Sequence, residues 1–194
     1  VAGESDPGGG GGAAEPGPVS DAASGAGRSE LEADQEAAGG ATGRRPGPGD
    51  AAPEFCLDGT GGQRYCLDDH KGEPVVLIFY PADNSPVCTQ QLRSYSEDLN
   101  EFERLGATVV CLSPQDVASH EEFAAAQNLR LPLLSDEGKE VGRAYGVVGP
   151  LGFYRRSVFV VDANGVIRFA RRSLSNLTYL PTEQLVRALH DVTD

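Results

Sequence analysis

Residues 75–88 read VVLIFYPADNSPVC: a run of apolar residues, a turn punctuated by Pro81 and Pro86, and a cysteine where helical spacing begins. An apolar run without polar alternation over 75–79 predicts a central strand covered on both faces, as in parallel sheets. Beyond it, Leu92, Tyr95, Leu99 and Phe102 recur at spacings of three, four and three with charged residues between them. That period predicts a helix over about 87–104, ending near Gly106. Cys88 therefore falls in or beside the first turn of a helix that follows a buried strand. The unpaired N–H groups and the dipole of a helix N-terminus favour a thiolate, the nucleophilic form of cysteine.

Strand and helix signals alternate outward from this unit. Upstream, Phe55 and Leu57, then Tyr65 and Leu67, flank Gly59, Gly61 and Gly62 and predict a β-hairpin with a loose loop. Downstream, a strand over 107–112 precedes a helix capped by Asp116 and running to about Asn128, with Val117, Phe123 and Ala124 as its apolar face. A short strand at 131–134 and a helix at about 138–145 follow. Strands at 157–161 and 166–170 are joined by Ala163-Asn164-Gly165, where Asn-Gly signals a hairpin. Thr182 caps a last amphipathic helix carrying Leu185, Val186 and Leu189. The pattern predicts an α/β domain with a mixed central sheet, helices on both faces and an N-terminal β-hairpin. Cys88 lies just past the C-terminal end of a predicted parallel strand, where α/β sites lie.

Composition sets off the first 50 of the 194 residues. They hold 14 of the 25 glycines, ten alanines and five prolines, and their only large aliphatic residues are Val1, Val19 and Leu31. Such a segment buries too little apolar surface to offset its ordering entropy. Residues 1–50 therefore read as a disordered, acidic Gly/Ala/Pro-rich tail, with at most a short frayed helix over 29–38, and residues 51–194 as the folded domain. Nine acids and three arginines give the tail a net charge of −6, leaving −7 of the total −13 for the domain. Neither part offers the basic surface that nucleic acid requires. No run of 18 apolar residues predicts a membrane span, and the N-terminus lacks the apolar stretch of a secretory leader. A cytoplasmic, reducing compartment is the expectation, with all four cysteines as thiols at rest.

Pro81, Ser85 and Cys88 match without a gap the motif Pro-x-x-x-Thr/Ser-x-x-Cys, and Arg156-Ser-Val-Phe-Val-Val-Asp162 matches an arginine preceding a Thr-Phe-x-x-Asp strand. Between them lies PLLSDEGKEVGRAYGV, residues 132–147. On these three segments the chain resembles the peroxiredoxins, especially their bacterioferritin-comigratory (Q-type) and one-cysteine alkyl-hydroperoxidase branches, over roughly residues 51–190. The resemblance implies a thioredoxin-like fold and a thiol-dependent peroxidase that requires no metal and no cofactor. It implies that Cys88 attacks hydrogen peroxide or an organic hydroperoxide and becomes a sulfenic acid. Arg156 would hold thiolate and peroxide oxygens with directed donors, Ser85 would hydrogen-bond either, and Pro81 would shield the sulfur and fix the loop. Gln91, in Cys-Thr-x-Gln, would brace the loop from the helix. Arg155 is the alternative to Arg156, but strand alternation lets only one face the site and the motif spacing favours Arg156.

The other cysteines decide how a sulfenic acid is reduced. Q-type enzymes with a local resolving cysteine carry it five positions after the first, where this chain has Arg93. Cys111 ends the next strand and reads as a structural thiol, with resolution of Cys88 as the alternative. Cys56 and Cys66 occupy the outward phases of the hairpin strands and pair if the register sets them opposite each other. A metal site from Cys56, Cys66 and His70 is disfavoured because no Cys-x-x-Cys chelate exists. The expected reductant is external: thioredoxin, a glutaredoxin-like protein or a low-molecular-weight thiol. The expected assembly is a monomer or homodimer. His70, His120 and His190 sit among charged residues and read as solvated positions with no role. A thioredoxin-like disulfide oxidoreductase is the alternative enzyme, weakened because Cys88 has no Cys-x-x-Cys partner. A peroxide sensor or binding protein is the non-enzymatic alternative.

Overall fold

A computed structural model describes residues 44–173 and 175–193. The disordered tail and frayed helix expected over the first 43 residues lie outside the described residues. The strands are β1 (Cys56–Asp58), β2 (Arg64–Cys66), β3 (Val75–Phe79), β4 (Thr108–Ser113), β5 (Leu133–Ser135), β6 (Ser157–Val161) and β7 (Ile167–Arg172). The helices are α1 (Pro86–Glu97), α2 (Leu99–Arg104), α3 (Val117–Gln127), α4 (Glu140–Ala144) and α5 (Thr182–Thr193). Strands β1 and β2 form an antiparallel hairpin, and the other five form one sheet in the order β5-β4-β3-β6-β7. Within it β3, β4 and β5 run parallel, while β6 and β7 are antiparallel to their neighbours. This is the thioredoxin-like arrangement that the resemblance implied.

The unbroken apolar run makes β3 the centre. Alternation sends Val76, Ile78 and Tyr80 into a core shared with Leu92 and Tyr95 of α1, Phe102 of α2, Phe123 of α3 and Leu185 and Leu189 of α5. Val75, Leu77 and Phe79 face the other way, into a core with Val141 of α4, Tyr145 and Tyr154, against which Phe55, Leu57 and Tyr65 of the hairpin pack. No described helix is long and apolar enough to cross a membrane.

Two expectations change. The single helix over 87–104 is two: at Asp98 the backbone leaves helical geometry (φ −91°, ψ 11°), and Glu101 N–H donates to the Asp98 carbonyl, a three-residue bond in place of the four-residue ladder. Residues 44–50, read as tail, are held by the domain. Gly49 N–H donates to the Ile167 carbonyl, Ile167 N–H to the Asp50 carbonyl, and Arg172 to the Pro46 carbonyl. They lie along the outer edge of β7, and an isolated bridge pairs Ala51 with Val166. The opposite sheet edge, β5, is met by the hairpin loop: Gly59 bridges Leu134, and Thr60 Oγ1 accepts from Leu133 N–H. A Cβ at Gly59 would lie 2.6 Å from Leu134 Cδ2 and 2.9 Å from the Leu133 carbonyl oxygen, so only glycine allows this approach.

Candidate active site

Strand β3 ends at Phe79, and residues 80–85 turn the chain into α1. Ser85 occupies the N-cap in extended backbone and Pro86 the first turn, where its missing N–H is no loss. The Ser85 carbonyl accepts the first helical bond, from Thr89 N–H at 2.8 Å, but its hydroxyl makes no capping bond. Pro81 is half-buried on the loop. Cys88, in the first turn, has no exposed surface.

Arg156, the residue before β6, is 2% exposed, and its guanidinium reaches across to α1. Its Nη2 lies 3.2 Å from Cys88 Sγ, and its Nη1 donates to Gln91 Oε1. Antiparallel pairing of β6 beside β3, with Ser157 opposite Phe79, sets the arginine next to the loop that leaves β3. Arg155 instead runs along residues 147–149, its N–H donating to the Val147 carbonyl. The structure thus brings Cys88, Arg156 and Gln91 together, while Pro81 and Ser85 form the loop that leads to them. Asn176 belongs to the same group: its Oδ1 accepts from Arg156 N–H at 2.9 Å and its carbonyl from Nη2 at 3.3 Å. It carries no signal in the sequence, since it lies in a loop 20 residues beyond the arginine. Arg156 Nε is buried and meets no acceptor among the described residues.

His120 corrects the reading of the histidines as solvated: it is fully buried on α3. Its Nδ1 lies 2.9 Å from Asp83 Oδ2, in the loop before Cys88, and its Nε2 lies 3.2 Å from the Leu134 carbonyl oxygen. Asp83 also accepts from Tyr80 Oη and Ser119 Oγ, each at 2.7 Å. Burial raises the Asp83 carboxyl, but the bonds from His120, Ser119 and Tyr80 prevail and hold it below its ordinary value. Tyr80 moves well above its own, chiefly through burial and then the Asp83 charge, so it stays a phenol and a donor. His70 is also paired, with Nδ1 2.6 Å from Glu73 Oε1, and His190 is exposed on α5.

The remaining cysteines separate. The hairpin register sets Cys56 opposite Cys66, and they form a disulfide, which corrects the expectation of four thiols. That bond also removes both sulfurs from any metal site with His70. Among the described residues no cluster of three His, Cys, Asp or Glu side chains is placed to hold a metal ion. Cys111 of β4 is a buried thiol, and burial alone pushes its ionisation far up.

A thioredoxin-like sheet with one arginine-held cysteine at the start of its first long helix defines a single-cysteine thiol site. The AhpC/TSA family matches residues 48–170, and the chain belongs to that family. Chloroplastic peroxiredoxin Q of Oryza sativa subsp. japonica is 41% identical over 123 residues, which span 62% of this chain and 57% of that protein. The chain thus spans little more than half the length of such curated relatives. The bacterioferritin comigratory protein of Xanthomonas campestris superposes with a TM-score of 0.68 at 28% identity, covering 75% of this chain and 100% of that one. The peroxidoxin BcpB of Mycobacterium tuberculosis does so with a TM-score of 0.68 at 28% identity, covering 76% and 99%.

Proposed function

We propose that the protein is a thiol-dependent peroxidase and that Cys88 is its peroxide-reacting sulfur. The observation that carries this reading is the 3.2 Å approach of Arg156 Nη2 to Cys88 Sγ inside a fully buried cluster. A fixed guanidinium offers directed donors to the sulfur and stabilises charge moving along a breaking O–O bond. The Cys88 thiolate attacks the terminal peroxide oxygen; the S–O bond forms as the O–O bond breaks, and the leaving oxygen takes a proton to depart as water or an alcohol. Because the sulfur has no exposed surface, peroxide reaches it only when a lining group moves aside. Pro81 keeps bulk water off the sulfur, and Ser85 donates a hydrogen bond to the peroxide as the loop admits it. The structure of the Xanthomonas campestris protein is described in terms of alkyl peroxide reduction, which supports organic hydroperoxides beside hydrogen peroxide as substrates.

The sulfenic acid is reduced by an external thiol: the first thiol displaces water to form a mixed disulfide, and a second releases Cys88. Cys56 and Cys66 are bonded to each other, Arg93 stands exposed on α1, and Cys111 is enclosed in the core. The Cys56–Cys66 disulfide removes the ground on which a reducing, cytoplasmic compartment was expected. Stopped-flow mixing of the full chain with hydrogen peroxide and with cumene hydroperoxide tests the peroxidase reading. Rapid consumption that disappears in Cys88→Ser is the expected result. Slow consumption that is unchanged in Cys88→Ser would overturn it.

A further inference from the structure

The loop from Pro81 to Ser85 places Cys88 against Arg156, and its buried tether is Asp83, whose side chain is 3% exposed. Asn84, next to it, has φ +57°, the left-handed conformation that asparagine tolerates better than most non-glycine residues, in a loop held by its surroundings. Those surroundings are specific. Asp83 N–H donates to Gln115 Oε1 at 3.3 Å, and its carboxylate takes bonds from Tyr80, just past β3, and from Ser119 and His120 of α3.

Counting donors and acceptors around His120 fixes where its protons lie. Nε2 faces the Leu134 carbonyl oxygen, which only accepts, at 3.2 Å. Ser113 Oγ is 3.4 Å away, but its proton goes to Gln115 Oε1 at 2.6 Å. Nε2 therefore carries hydrogen. Nδ1 faces the Asp83 carboxylate at 2.9 Å; Tyr80 Oη, at 3.4 Å, gives its own proton to the other carboxylate oxygen. Nδ1 therefore carries hydrogen too. The ionisable groups facing the ring are Asp83, from the loop, and Tyr80, just past the end of β3.

We propose that His120 is a positioning residue for the Cys88 site: as a buried imidazolium it ties the Asp83 carboxylate to α3 and β5. Through Asp83 it holds the Pro81–Ser85 loop in the conformation that sets Cys88 against Arg156. The proposal rests on the reading of Cys88 as the peroxide-reacting sulfur. A buried ion pair is a weak source of net stability but a strong constraint on geometry, because breaking one partner strands the other charge.

The test uses the full chain with His120→Asn, His120→Gln and Asp83→Asn. The Asn amide nitrogen overlies Nδ1 and keeps the donor to Asp83; the Gln nitrogen overlies Nε2 and keeps only the donor to Leu134. In wild-type protein labelled with 15N-histidine, two exchange-protected ring N–H signals are expected for His120. His120→Gln should lower the bimolecular rate with hydrogen peroxide about 100-fold, the effect of a small misplacement of reacting groups, and speed hydrogen exchange of the amides at 82–85. His120→Asn should keep most of the rate and the protection. If His120→Gln does not fold, Asp83→Asn carries the same test, with the same losses expected. A single ring N–H signal, or equal behaviour of the Asn and Gln variants, would overturn the proposal. Should wild type and Cys88→Ser react equally slowly, the reading of Cys88 fails, and the ring signals and loop exchange still decide the tether.

Discussion

Cys56 and Cys66 lie on neighbouring strands of a surface hairpin and are bonded to each other, whereas Cys88 and Cys111 are thiols in one buried core cluster. Register made the first pair: position alone sets one sulfur opposite the other. The second pair shows that burial does not decide reactivity. Both thiols are fully buried, yet Cys111 has only its desolvation, which suppresses the thiolate, while Cys88 has a guanidinium at 3.2 Å. The chain thus contains a covalent staple, an inert thiol and a charged-partner thiol, and only the last has the surroundings of a nucleophile.

The sharpest way to break this contrast is to remove the partner. Arg156→Lys keeps a charge but loses the fork that reaches Cys88, Gln91 and Asn176 together, and should slow the reaction with hydrogen peroxide about 100- to 1,000-fold in stopped-flow measurements. A rate within a few-fold of wild type would make Cys88 no different from Cys111. The double change Cys56→Ser, Cys66→Ser should lower unfolding free energy by about 2–3 kcal/mol in urea titration, as expected for a short closed loop, without changing the peroxide rate. A fall in rate would join the two sulfur regions that the structure keeps apart. Cys111→Ala should cost about 1 kcal/mol through a small cavity. After one equivalent of peroxide, dimedone should label Cys88 and leave Cys111 unmodified, as read by mass spectrometry.

Acid gives the smallest and most selective effect. The Asp83 carboxyl lies below its ordinary value in the folded protein. Its contribution is therefore complete above about pH 3.9, the unfolded value, and is lost as pH falls through the lower folded one. Hydrogen exchange followed downward from pH 5 should show residues 82–85 losing protection while the disulfide-closed hairpin keeps its own. Simultaneous loss in both would mean that the tether is not a separate unit.

Much of this was legible in the sequence. The run at 75–79 has one reading as a strand, and the spacing of Pro81, Ser85 and Cys88, with Arg156 ahead of its own strand, placed the thiol and its partner. The outward phases of Cys56 and Cys66 indicated their pairing. His120 was not legible, because it sits between Ser119 and Glu121 and its burial depends on a carboxylate 37 residues earlier. Hydrophobic periodicity detects apolar faces, not a polar side chain satisfied across the fold. The break at Asp98 escaped for a related reason: the apolar spacing continues across it, and only the backbone bonds show the interruption. Asn176 serves Arg156 from a loop, where no period exists to mark it.

The segment at 49–51 and the Gly59 loop occupy opposite borders of the five-stranded sheet. A bare strand border is a template on which other chains add and aggregates grow. By meeting β7 at one side and β5 at the other with its own backbone, the protein limits such growth. A shortened chain starting at residue 53 would keep Cys88 and Arg156 but leave the outer side of β7 available to its copies, so its solubility would fail before its chemistry did.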